Sequence, residues 1–229
     1  MENLDPADGY DRYAPYYKKD HLNLDSFDWT VAGAWWREAL VALETREPLE
    51  SRKAPLVLLD AGCGDGRSLS RFEKWIAGKP GTDLQGCDIS REMVKLAAQK
   101  VHTATVGPLD VEDEDERTAW VAQHGRADLL SAFFLLVHID READFFEAMT
   151  QLLAPKGILL MNTIPQRKPP VLVAGTKKFT ILSHHHNLDA VREAGYDAGL
   201  DLIREHTIEE DFQVVSTVFW WQSRAQAAR

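Results

Sequence analysis

The sequence predicts an α/β fold in which a parallel sheet is covered by helices on both faces. Two observations carry this. From Leu56 onward, short apolar runs alternate with amphipathic stretches, and strands that read apolar almost continuously are those buried from both sides. The first such run, VLLDAGCGDGRS (residues 57–68), ends in three glycines on alternate positions, and an apolar run ending in a glycine loop places a ligand at a strand's end.

In chain order, residues 1–54 lack the alternation. An aromatic-rich segment, YDRYAPYYKKDH (10–21), precedes a helix-like pattern from about Trp29 to Leu43 and a charged link, ETREPLESRKAP. These form an N-terminal helical cap on the main domain. Strands follow at residues 56–60, 83–87, weakly 104–106, 128–134 and 157–162, then at 201–206 and 214–221. Helices are read at 68–76, where Leu69, Phe72 and Ile76 share a face, and at 90–100, opened by Ser90 as N-cap. Further helices fall at 116–124, 141–153 and 187–194, the last with Asn187 as N-cap. The link 207–213 is too short for a helix, so the last two strands are antiparallel neighbours. The whole chain reads as one domain: cap 1–54, ligand-binding core 55–162, and an acceptor-side insertion with the terminal strands at 163–229.

With 229 residues and 45% apolar composition, the chain can bury a proper core. It lacks the roughly 20 uncharged apolar residues in a row that span a bilayer. The opening MENLDPADGYDRY is acidic where a secretion signal is basic and then apolar, which places the protein in the cytoplasm. A net charge of -10 repels a phosphate backbone, so nucleic acid is not the expected partner. Cys63 and Cys87 are read as reduced thiols.

Three ligands compete for the glycine loop. A phosphate-gripping loop needs a lysine after its last glycine, and none stands there. A dinucleotide fingerprint needs a small third residue where this chain has Arg67, and it would set Asp60 and Asp65 beside a pyrophosphate, at a cost of a few kcal/mol (about 4 Å between like charges). A ligand with a sulfonium and an ammonium reverses that sign.

The segment hD-A-G-C-G-x-G, with h apolar, resembles the first motif of class I S-adenosylmethionine-dependent methyltransferases. LQGCDIS resembles the second, in which Asp88 takes the ribose hydroxyls and Ile89 packs on adenine. GPLDVED resembles the third, with Asp110 and Val111 at the adenine amino group. ADLLSAFFLLVHID resembles the fourth strand, whose end, Ala132 and Phe133, lies along the methionine moiety. LLAPKGILLMN resembles the turn into the fifth, with Pro155-Lys156-Gly157 where many relatives have Pro-Gly-Gly. The likeness runs motif by motif over residues 55–162 and weakly over the terminal strand pair. It implies a Rossmann-like seven-stranded methyltransferase sheet with the last strand antiparallel, and S-adenosyl-L-methionine as cofactor. It also implies cofactor contacts at Asp60, Ala61, Gly62, Cys63, Gly64 and Gly66, in addition to those just named.

Methyl transfer is an in-line displacement that needs alignment above all, and a phenol, carboxyl or amine acceptor also needs a base. Candidates on the acceptor side are His138, just past the fourth strand, and Tyr17, with Tyr13 beside it, among the four tyrosines at 10, 13, 16 and 17. Structural roles, as a turn histidine and as aromatic packing, compete with these. If SHHHN (183–187) is extended, His184 and His186 share a face, but no third ligand accompanies them and no metal is expected. Residues 111–116 of the acidic run DVEDEDE open a helix, and Trp35, Trp36, Trp220 and Trp221 fill core or cap. The expected acceptor is a small molecule; a protein side chain also fits. Two other classes compete: a nicotinamide-dependent oxidoreductase on a related sheet, and a module that binds the cofactor without catalysis.

Overall fold

The structure is a computed structural model that describes residues 1–20 and 28–224, with side chains of 18–20 left aside. His21, which ends the aromatic-rich segment, lies outside the described residues. In chain order the elements are β1 (Glu2–Leu4), α1 (Pro6–Asp20), α2 (Trp29–Arg46), β2 (Leu56–Ala61), α3 (Arg67–Ile76), β3 (Thr82–Asp88), α4 (Arg91–Lys100), β4 (Thr105–Pro108) and α5 (Glu114–His124). There follow β5 (Ala127–Ala132), α6 (Glu142–Leu152), β6 (Leu153–Thr163), β7 (Leu172–Ala174), β8 (Lys177–Ile181), α7 (Leu188–Asp197), β9 (Leu200–Glu210) and β10 (Gln213–Ser223).

Seven strands form one sheet in the order β4-β3-β2-β5-β6-β10-β9. The first five are parallel, and β10 runs antiparallel to both β6 and β9, as the resemblance implied. Side chains alternate across each strand, so neighbouring residues enter opposite cores. Leu58, Leu129, Leu160 and Trp220 pack with Trp36, Leu40, Leu69 and Phe72 under α2 and α3. Leu59, Leu130, Leu159 and Trp221 pack with Phe145, Phe146 and Met149 of α6. The Trp36 and Phe72 rings stack at 4.2 Å, which ties α2 to α3 and makes the expected cap helix part of the core.

Chain order reverses between β2 and β5: β2 leads outward to β3 and β4, and β5 returns on its other side. Such a switch point leaves a crevice at the carboxyl ends of the strands, where the following turns diverge. The expected strand over residues 128–134 stops at Ala132, because the backbone must turn there. Phe134 takes φ +59° and donates its N–H to Asn162 Oδ1 at 2.6 Å. The apolar run continues past the strand because the turn it forms is itself enclosed.

A second, three-stranded sheet was not anticipated. β1 runs parallel to β8, pairing Glu2 with Phe179 and Leu4 with Ile181, and β7 runs antiparallel to β8. Leu4, Tyr13, Phe179 and Ile181 form its small core. The helix that follows β1, α1, passes through Pro15, an interior position that costs an isolated helix about 3 kcal/mol. Docking of α1 against the domain offsets this. Among the described residues no helix is long and apolar enough to cross a membrane.

Candidate functional site

At the end of β2 the chain turns through Gly62, Gly64 and Gly66 at φ +71°, +54° and +75°, a region that favours glycine. The turn is held to the neighbouring strand by its backbone: Cys63 N–H donates to the Cys87 carbonyl at 2.9 Å, and Gly64 N–H to Asp88 Oδ2 at 2.8 Å. Asp88 Oδ1 accepts from Ser90 N–H at 2.9 Å, so one carboxylate spans the glycine turn and the start of α4. Asp60 Oδ1 accepts from the Ser131 hydroxyl at 2.6 Å.

Both acids are buried, and burial pushes them up, Asp60 to about 7 and Asp88 to about 6. The Ser131 bond and the two backbone N–H bonds respectively hold them back. Burial and the two nearby carboxylates keep the Cys63 thiol well above its ordinary range, and both cysteines are free. Asp65 corrects part of the charge argument. Its carboxylate is paired with Lys100 Nζ at 2.5 Å and has Arg67 at 3.9 Å, so its charge is compensated within the chain and the unpaired negative character rests on Asp60 and Asp88.

These groups line a cavity of about 490 Å³, within the range of about 300 to 1,000 Å³ of small-molecule sites. The structure brings nine of the twelve expected cofactor residues to its wall: Asp60, Gly62, Cys63, Gly64, Asp88, Ile89, Asp110, Val111 and Phe133. Ala61 and Ala132 lie instead in the sheet's core, fully buried. Gly66 also stands off the wall. A Cβ there would come within 2.8 Å of Ala97 Cα, so this glycine lets α3 approach α4. A Cβ on Gly64 would meet nothing within 4 Å, which leaves the turn open toward the cavity as a cradle.

The opposite wall comes from α1 and from the turn after β5. Tyr10, Tyr13 and Tyr17, spaced on one face of α1, all line the cavity, while Tyr16 points outward. Asp11 of α1 accepts from the Ser90 hydroxyl at 2.6 Å and from Glu92 N–H at 3.1 Å, fastening α1 to the first turn of α4. His138 ends a short turn after β5. Its Nδ1 lies 2.9 Å from the Leu182 carbonyl and its Nε2 2.9 Å from the Tyr10 hydroxyl; burial lowers its pKa.

Tyr10 and Asp28 are among the cavity residues that escaped the sequence reading. Tyr10 was passed over for Tyr13 and Tyr17, although the spacing 10, 13, 17 on one helix face signals all three. Asp28, almost wholly buried, accepts from Asn162 Nδ2 at 2.5 Å and lies 3.4 Å from the Ser216 hydroxyl; no local pattern marks it. His184 and His186 pair with Asp140 and Glu142, each at 2.9 Å, and strap the chain after β8 to the residues that lead into and begin α6. Among the described residues no group of three or more His, Cys, Asp or Glu is disposed to hold a metal ion.

Comparison with known proteins agrees with this geometry. Residues 58–157 match the family described as methyltransferase domain. By that match the segment 58–157, a little under half of the chain, is a methyltransferase domain. It is 25% identical over 142 residues to the ubiquinone biosynthesis O-methyltransferase of Psychrobacter cryohalolentis, a match covering 60% of this chain and 52% of the relative, so it spans about half that protein's length. Among solved structures, magnesium protoporphyrin IX methyltransferase from Synechocystis with bound S-adenosylmethionine is similar at a TM-score of 0.60 and 18% identity, over 94% of this chain and 91% of that one. The 4+2 cyclase SpnF is similar at a TM-score of 0.61 and 13% identity, over 98% and 100%.

Proposed function

We propose that this protein transfers the methyl group of S-adenosylmethionine to a small-molecule acceptor bound between the glycine turn and α1. The observation that carries the reading is the pair of buried carboxylates, Asp60 and Asp88, on the wall of a cavity floored by an open glycine turn. Buried acids of raised pKa are stabilised as anions by a cationic guest and opposed by a diphosphate.

In this reading Gly62, Gly64 and Phe133 hold the methionine part, Asp88 the ribose hydroxyls, and Ile89, Asp110 and Val111 the adenine. The cofactor supplies an electrophilic methyl group on a sulfonium. The chain's own residues bind, orient and exclude water, and alignment alone is worth roughly 7 to 11 kcal/mol in favourable cases. His138, facing the cavity with a lone pair on Nε2, takes the acceptor's proton. The tyrosine-lined wall gives the acceptor an aromatic enclosure, which favours a small molecule over a protein side chain. The names of the ubiquinone and protoporphyrin methyltransferases point the same way. The two free thiols suit a reducing compartment, the cytoplasm.

The test is incubation of the protein with methyl-labelled cofactor and a metabolite extract, followed by identification of what carries label. Transfer to a small molecule is expected, with release of S-adenosylhomocysteine. Calorimetric binding of the cofactor without transfer to any component favours the second reading, a cofactor-binding protein with another task, which the likeness to a cyclase keeps in view. A rise of nicotinamide fluorescence on mixing with NADH, with no binding of the methyl donor, overturns both in favour of an oxidoreductase.

A further inference from the structure

Tyr10 and His138 meet at the cavity wall in a contact that methyl transfer as such does not require. The Leu182 carbonyl oxygen, 2.9 Å from His138 Nδ1, can only accept, so Nδ1 carries the proton. Burial favours the neutral ring, so Nε2 holds a lone pair, and the Tyr10 hydroxyl 2.9 Å away donates to it. The basic nitrogen facing the cavity therefore already holds a phenol.

That phenol is well defined in shape. The Tyr10 ring stands edge-on to His138, with centroids 5.3 Å apart at 89°, and edge-on to Tyr17 at 6.5 Å and 65°. The place is also close to the glycine turn: His138 N–H donates to the Leu135 carbonyl at 3.0 Å, and Leu135 Cδ1 lies 3.2 Å from where a Cβ on Gly62 would stand. Tyr10 is itself a poor nucleophile, since burial and the neighbouring Tyr17, Asp88 and Tyr13 hold its hydroxyl far above the ordinary tyrosine range. It arrives on α1, whose leading strand β1 pairs through only three residues.

We propose that the acceptor is a phenol, an aromatic ring bearing a free hydroxyl, which displaces Tyr10 from His138 and gives its own O–H hydrogen bond to Nε2. The proposal rests on the methyl-transfer reading. In the reaction the acceptor's O–H bond breaks and the proton passes to Nε2. The freed oxygen lone pair forms a C–O bond to the methyl carbon, and the electrons of the C–S bond return to sulfur, leaving the neutral thioether. The Nδ1–H bond to the Leu182 carbonyl steadies the imidazolium until its proton passes to water.

The test is binding, without turnover. Protein loaded with S-adenosylhomocysteine is titrated by calorimetry with 4-nitrophenol and with its methyl ether, 4-nitroanisole, while absorption of the bound phenol is recorded. The phenol should bind at least tenfold more tightly than the ether and show a red shift. Tyr10→Phe should raise phenol affinity threefold or more, because no side chain then competes for Nε2. His138→Gln should abolish both the preference and the shift. Absence of phenol binding, equal binding of phenol and ether, or a Tyr10→Phe protein that binds the phenol more weakly than the parent overturns the proposal. Failure to bind S-adenosylhomocysteine at the outset breaks the methyl-transfer reading instead, so the two failures are told apart.

Discussion

On the glycine-turn side of the cavity, the bond that shapes the wall joins residues 24 apart, Gly64 in the turn after β2 and Asp88 at the end of the adjacent β3. On the α1 side, the bond that shapes the wall joins Tyr10 to His138, 128 residues away. The first wall is backbone held to backbone and carboxylate, with both core clusters beneath it. The second is a helix and a three-residue strand laid over the opening and fastened by side chains. A rigid floor with a separately fastened roof suits a site that keeps one ligand type constant and admits another, and the two walls should respond differently to the same kind of perturbation.

The largest contrast should come from Gly66→Val. The left-handed φ and the approach to the Ala97 backbone together should cost about 3 kcal/mol or more, read as a fall in the denaturation midpoint. A melt indistinguishable from the parent would show that α3 and α4 can separate freely, and would remove the rigid floor from the comparison. Asp88→Ala should follow: cofactor affinity by calorimetry should fall about a hundredfold or more, roughly 2.7 kcal/mol. Stability should also drop, because the Gly64 and Ser90 N–H groups lose their acceptor. Retained affinity would count against the ribose assignment.

Titration should separate the walls next. Asp60 and Asp88 are raised in the folded state to about 7 and about 6, so the folded protein binds more protons than the unfolded chain above about pH 4. Their contribution to stability is full below that and is lost as pH rises through 6 to 7. His138 is lowered, so its contribution is full above about 6.5 and is lost as pH falls toward its folded value. The cationic cofactor favours ionised carboxylates. Its affinity relative to S-adenosylhomocysteine, which lacks the sulfonium charge, should therefore rise about tenfold between pH 5.5 and 7.5, and a flat ratio would detach the two acids from the sulfonium.

The smallest effect belongs to Asp11→Ala, which removes the fastening of α1 to α4 at a cost of about 1 kcal/mol. Amide exchange in β1 and α1 should quicken while exchange in β2 and β3 stays unchanged. Equal quickening in both would mean that roof and floor open as one unit.

The sheet was legible because each strand announces itself locally: apolar runs such as 56–60 and 157–162 are buried on both faces, and Ser90 and Asn187 cap their helices as read, each accepting a backbone N–H from the first turn. Six of the nine expected wall residues lie in the glycine turn or beside the acid that ends the next strand, which are short-range patterns, whereas Asp110, Val111 and Phe133 were implied only by the family resemblance. Ala61 and Ala132, named with them, turned out to face the core, because a one-residue step along a strand exchanges wall for interior. The roof was not legible. β1 is three residues long, too short to show a period, and its partner, β8, lies at the other end of the chain.

What residues 55–162 determined by themselves is the frame: strands, caps, and a turn whose glycines admit only a small set of ligands, all consequences of backbone preferences acting over a few residues. Tertiary structure decided which side chains meet inside that frame. Asp65 reads as a free anion in the sequence and is neutralised by Lys100; His138 reads as an isolated histidine and is bound at both nitrogens, by Leu182 and Tyr10. Charge and proton state belong to neighbours in space, and those neighbours are chosen by packing of segments that carry no mark of one another along the chain.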